Sequence, residues 1–77
     1  MTVYWEHGDR KYSGTPLQIV KQFAKEQRLV VGLNYRLYMR GVGNRVFRLL
    51  KVKINTHDPE VFITDLLEIG ILMEDEE

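Results

Sequence analysis

Cysteine is absent from the 77 residues, which removes disulfides and thiolate zinc sites together and fits a reducing compartment. Proline occurs twice, at Pro16 and Pro59, each just after a residue suited to capping a helix, so proline starts elements here and interrupts none. The single serine, Ser13, has no histidine expected beside it, and a serine nucleophile has no support. Of the two histidines, His7 lies by a turn and His57 just before a helix; neither makes a metal-ligand spacing such as H-E-x-x-H. Gly41-x-Gly43 lacks the third glycine and the preceding strand of a dinucleotide loop, and Gly14-Thr15-Pro16 lacks the lysine of a phosphate loop. No apolar run approaches the roughly 20 residues of a membrane span, and the start MTVYWEHGDR lacks the basic patch and apolar run of a signal peptide. The expectation from these absences is a soluble, cytoplasmic protein with no cofactor, no metal and no enzymatic activity.

At this length the chain is one domain that buries about 60 to 65% of the surface its unfolded form exposes, so packing alone must hold a modest core. Formal net charge is zero, yet the charges are sorted along the chain. Residues 1 to 27 are mixed. From Arg28 to His57 there are seven Lys or Arg and no acid; from Asp58 onward there are eight acids and no base. Zero net charge predicts no long-range attraction to nucleic acid, whereas the sorting allows a basic face beside an acidic one.

Thr2 to Glu6 is β-branched and aromatic, as a strand prefers, and Gly8-Asp9 suits a two-residue hairpin turn. That turn places Glu6 opposite Lys11 and Trp5 opposite Tyr12, with Trp5 and Val3 on one face. Thr15, Pro16 and Gln18 form a T-x-x-Q capping box with proline at the first helical position, followed by one stripe of Ile19, Val20, Phe23, Ala24 and Gln27. Leu29 to Val31 fit either an extension of this helix or a short extended segment, and Gly32 stops it either way.

The longest helix is expected from Asn34, its cap, to Leu50, with Leu33 and Tyr38 placed for a hydrophobic staple. At about 100° per residue, Tyr35, Tyr38, Met39, Val42, Val46 and Leu49 share one core-facing sector about 100° wide, while Arg36, Arg40, Arg45 and Arg48 spread over the opposite half. Gly43 sits at the margin of the apolar sector, where a missing side chain admits a close neighbour; Gly41 lies on the arginine side. Lys51 to Ile54 alternates as a short extended piece would, and Asn55 suits a turn. Asp58-Pro59 begins a last helix with Phe62, Ile63, Leu66, Leu67 and Ile69 on its apolar side, ended by Gly70. Glu60, Asp65 and Glu68 share its outer face. The fold class is therefore α+β, an N-terminal two-stranded β-hairpin packed on three α-helices, with residues 1–73 globular and 74–77 a disordered acidic tail.

Gly14-Thr15-Pro16 with Ile19-Val20, Tyr38-Met39-Arg40 with Val42 and Arg45, and Asp58-Pro59 with a final helix closing at Gly70 together resemble a pattern in short bacterial proteins of unknown function. The resemblance implies a domain that stands alone, of bacterial or mobile-element origin. It carries no activity or site with it.

The candidate interaction residues are Arg36, Arg40, Arg45, Phe47 and Arg48, with Phe47 expected to be exposed among the arginines. They point to a non-enzymatic protein-interaction module, with a protein partner or a second copy as the ligand. The alternative is a nucleic-acid-binding accessory protein that uses the same face, guanidinium groups holding phosphates and Phe47 stacking on an unpaired base. A third reading is neutralisation of the arginines by acids of the last helix or tail within one chain.

Overall fold

The computed structural model describes residues 1–26 and 34–75. Gln27, the Leu29 to Gly32 stretch, Leu33 and the last two acids lie outside the described residues. The elements are β1 (Thr2–Trp5), β2 (Lys11–Ser13), α1 (Pro16–Glu26), α2 (Tyr35–Leu50), α3 (Pro59–Glu68) and β3 (Leu72–Glu74).

The sheet has three strands, not two, in the antiparallel order β2-β1-β3. Two-residue alternation puts Val3, Trp5, Tyr12 and Leu72 on the inner face, and Tyr4, Lys11 and Met73 on the outer. Val3 and Leu72 are fully buried. Among the described strands β3 pairs with β1 (Val3 opposite Glu74, Trp5 opposite Leu72), extended at its ends by Glu6 N–H to Ile71 O (3.1 Å) and Asp75 N–H to Thr2 O (2.9 Å). Glu74, read from the sequence as the first residue of the tail, is thus the last residue of a strand. Its neighbour Asp75 also accepts a bond from Lys11 Nζ at 2.6 Å.

The hairpin register differs by two residues from the one a Gly-Asp turn dictates. Val3 faces Tyr12 and Tyr4 faces Lys11, because the chain turns earlier, Gly8 N–H closing on Trp5 O at 2.9 Å. A two-residue slip keeps every side chain on its face. Trp5 and Tyr12 are therefore still co-facial, and both rings meet Phe23 of α1, at centroid distances of 4.8 and 4.7 Å.

Helix starts follow the capping chemistry. Thr15 N–H donates to Gln18 Oε1 (2.9 Å) and Gln18 N–H to Thr15 Oγ1 (3.2 Å), the reciprocal pair of a capping box. Asn34 Oδ1 accepts from the N–H groups of Arg36 and Leu37, and Asp58 Oδ1 from that of Glu60 at 2.9 Å. Asp58→Ala is expected to lower the unfolding free energy by about 0.5 to 2 kcal/mol, read from urea denaturation, with helices α1 and α2 retained.

α1 and α3 cover the inner face of the sheet through Ile19, Val20, Phe23, Phe62, Ile63 and Leu66, and α2 adds Tyr38, Met39, Val42 and Val46. After α2, Lys51 takes a left-handed conformation (φ 59°) and its N–H closes on Phe47 O at 2.9 Å, which ends the helix. Residues 51–54 form no strand; the one buried member, Ile54, anchors the connection to the core. Asn55 Oδ1 then accepts the N–H groups of His57 and Asp58, and Asn55 N–H donates to Asp65 Oδ2 at 2.8 Å. Asp65, expected on a solvated face, instead ties this connection to α3.

Candidate functional site

Helix α2 presents two grooves on opposite flanks; of the five candidate residues Arg40 and Phe47 line one, Arg45 lines the other, and Arg36 and Arg48 line neither. The first groove, of about 390 Å³, runs between α2 and the connection that follows it, lined by Arg40, Gly43, Asn44 and Phe47 on one wall and Lys53, Ile54 and Thr56 on the other. Its existence depends on Gly43. A methyl built there would overlap the Cγ2 methyl of Thr56, so the returning chain lies this close because the helix carries no side chain at that point. The walls carry two cations and no acid. Phe47 is 51% exposed, and a chain as small as this one exposes a phenyl ring at a cost of desolvation left unrealised.

The second groove, of about 340 Å³, opens where the C-terminal half of α2 passes the sheet, and Trp5, Val42, Val46, Leu49 and Ile71 supply its apolar lining with Tyr38 and Arg45 as polar members. Burial raises the Tyr38 hydroxyl above its ordinary pKa of 10.0, and the guanidinium of Arg45 partly offsets this. Leu49 corrects an expectation: it lies in the core-facing sector of α2 yet is 73% exposed, because α2 extends beyond the elements it packs on. Periodicity sets the direction a side chain points and not whether anything lies there.

Arg40 and Phe47 share the first groove, and Arg45 lies on the opposite flank. Arg36 is in the first turn, its guanidinium 5.9 Å from the Tyr35 ring centroid, and Arg48 is exposed and lines neither groove. Sequence reasoning missed Lys53 and Thr56 as groove members, although Gly43 signalled that some element would approach α2 at that point. It also placed Leu49 and Trp5 in the core without their groove. The ion pairs among the described residues are Arg10 with Glu26 at 2.9 Å and Lys11 with Asp75. None of the α2 arginines has a carboxylate partner there, so Asp75 pairs with the hairpin and leaves the helix basic.

Among the described residues no group of three or more His, Asp or Glu side chains could hold a metal ion, and no helix is long and apolar enough to cross a membrane. Comparison with protein-family models, curated proteins and solved structures returned no match.

Proposed function

We propose that this protein is a non-enzymatic interaction module that docks an acidic protein surface on the flank of α2 formed by Arg40, Phe47 and Lys53. The observation that carries the reading is the combination in one groove of an exposed aromatic ring with two cations and no acid. Aromatic and arginine side chains that a partner can desolvate together supply most of the binding energy at protein interfaces. Arg36 and Arg48 extend the basic surface around the groove; charges at such rim positions act mainly on orientation and on-rate. Zero net charge favours a short-range partner of matched shape over a polyanion attracted from a distance.

Nucleic acid is the second reading, favoured by Phe47 sharing one groove with Arg40 and Lys53, a combination suited to stacking on an unpaired base with cations near its phosphates. A pull-down with the native protein as bait, with and without nuclease, separates the two. A protein partner is expected to survive nuclease, to be lost with Arg40→Glu, and to bind at least about thirtyfold more weakly to Phe47→Ala, the loss of an interface hot spot of about 2 kcal/mol. Material that nuclease removes, together with oligonucleotide affinity falling with salt at a log-log slope of about 0.7 per single-strand phosphate, replaces this reading with the second. Retention of the same partner by both variants would eliminate the groove as the site.

A further inference from the structure

The C-terminal end of α2 projects from the body of the protein. Residues 47–53 are all exposed, in an unbroken run between buried Val46 and buried Ile54. Phe47, Arg48, Leu49 and Leu50 make up a full helical turn, and a helix lying along a core turns at least one residue of such a set inward. None of the four is buried here. Lys51 then closes the helix in its left-handed conformation, and Val52 and Lys53 lead back to the core at Ile54. The tip holds only two kinds of residue. Phe47, Leu49, Leu50 and Val52 are apolar, with Leu49 73% and Leu50 48% exposed; Arg48, Lys51 and Lys53 are cations, and Arg45 stands one turn before. None of these four cations is ion-paired among the described residues, and the grooves on the two flanks are lined by no acid.

We propose that this tip enters the interface of a membrane rich in anionic phospholipid, its apolar side chains reaching the boundary between headgroups and acyl chains and its four cations holding headgroup phosphates and carboxylates. Exposed apolar side chains gathered in one place mark a site of contact, and two features select lipid as the partner. A protein partner meets one face, whereas Phe47 and Leu49 point about 160° apart around the helix with Arg48 between them in sequence; a lipid interface surrounds a projecting tip on every side. The flexible stems of lysine and arginine also let apolar neighbours sink while the charges stay at headgroup level. Zero net charge does not oppose this, because only charges within a Debye length of about 8 to 10 Å of the lipid act strongly, and those of the tip have one sign. The inference goes beyond the acidic partner proposed above: the tip shares Phe47 and Lys53 with that groove but not Arg40.

Co-sedimentation of the full chain with sucrose-loaded vesicles tests the proposal, comparing phosphatidylcholine alone with phosphatidylcholine containing about one-third phosphatidylserine. The expected result is binding to the second vesicle only, weakening as salt rises. Leu49→Ala with Leu50→Ala lowers the partition coefficient about tenfold or more, and Arg48→Gln with Lys51→Gln lowers it about thirtyfold, at about fivefold for each cation. All four side chains are exposed in the single chain, and circular dichroism confirms the fold of each variant. Arg40→Glu, about 15 Å from Leu50 along the helix axis, abolishes capture by the groove and leaves vesicle binding nearly unchanged. Failure of the wild-type protein to bind either vesicle, equal binding to both, indifference to either double substitution, or loss of vesicle binding in Arg40→Glu overturns the proposal.

Discussion

Phe62→Ala is expected to lower the unfolding free energy by about 3 to 5 kcal/mol, as truncation of a fully enclosed phenylalanine does. Phe62 is the largest of the completely buried side chains, and it belongs to the part of α3 that packs against α1 and the sheet. The loss combines the transfer energy of the ring with the cavity left behind, which a core of this size can collapse only in part. At about 0.05 to 0.15 kcal/mol per residue, the whole domain holds roughly 4 to 12 kcal/mol. The variant therefore sits close to the limit of folding, and a urea titration should show a midpoint shifted far to low denaturant or no folded baseline at all. Met73→Ala is the control: Met73 is on the outer face of the sheet and partly exposed, and a change near 0.5 kcal/mol is expected there. Near-equal effects of the two substitutions would contradict the placement of α3 on the core.

The two glycines of α2 are expected to respond to alanine with opposite signs. A methyl on Gly41 meets nothing within 4 Å, so Gly41→Ala gains helix propensity with no steric cost and should stabilise by about 1 kcal/mol. The same gain is available at Gly43, but there the methyl overlaps Thr56 Cγ2, and overpacking typically costs about 1 to 3 kcal/mol. Gly43→Ala should therefore be neutral to destabilising, and the pair should differ by about 1 to 3 kcal/mol in thermal or urea unfolding. The cause can be isolated. Thr56→Ser removes only the obstructing methyl, so in the Gly43→Ala background it should recover most of the loss, a coupling that a double-mutant cycle measures. If Gly43→Ala stabilised as much as Gly41→Ala, the connection after α2 would not lie against the helix, and the groove containing Phe47 would lose its second wall.

The helix starts were legible because their chemistry is local. Thr15, Asn34 and Asp58 each bond to amides two or three residues ahead, so the cap and the groups it satisfies lie within one stretch of sequence. Gly70 adopts a positive φ of 84° as a helix-ending glycine does. The hairpin was legible only in part: strand composition located β1 and β2, but the register depended on where the turn closed. For the candidate site, helical spacing located the arginines and Phe47 on the outside of α2. It could not divide them between two flanks, since that depends on what lies beside the helix.

Sequence alone thus determined the α+β class, the starts of all three helices, the inner face of the sheet and the exposure of Phe47, all set by interactions within a few residues or by the period of one element. Only the tertiary structure decided the third strand, the exposure of Leu49 and the two grooves. Strand β3 spans only three residues and has no pattern of its own; it is a strand because β1 offers an unpaired edge to residues far along the chain. Leu49 carries the same periodic signal as its buried neighbours and differs from them only in lying past the end of what α2 packs on. Local signals record the direction in which a side chain points, and the contacts made across the fold decide whether anything is there to meet it.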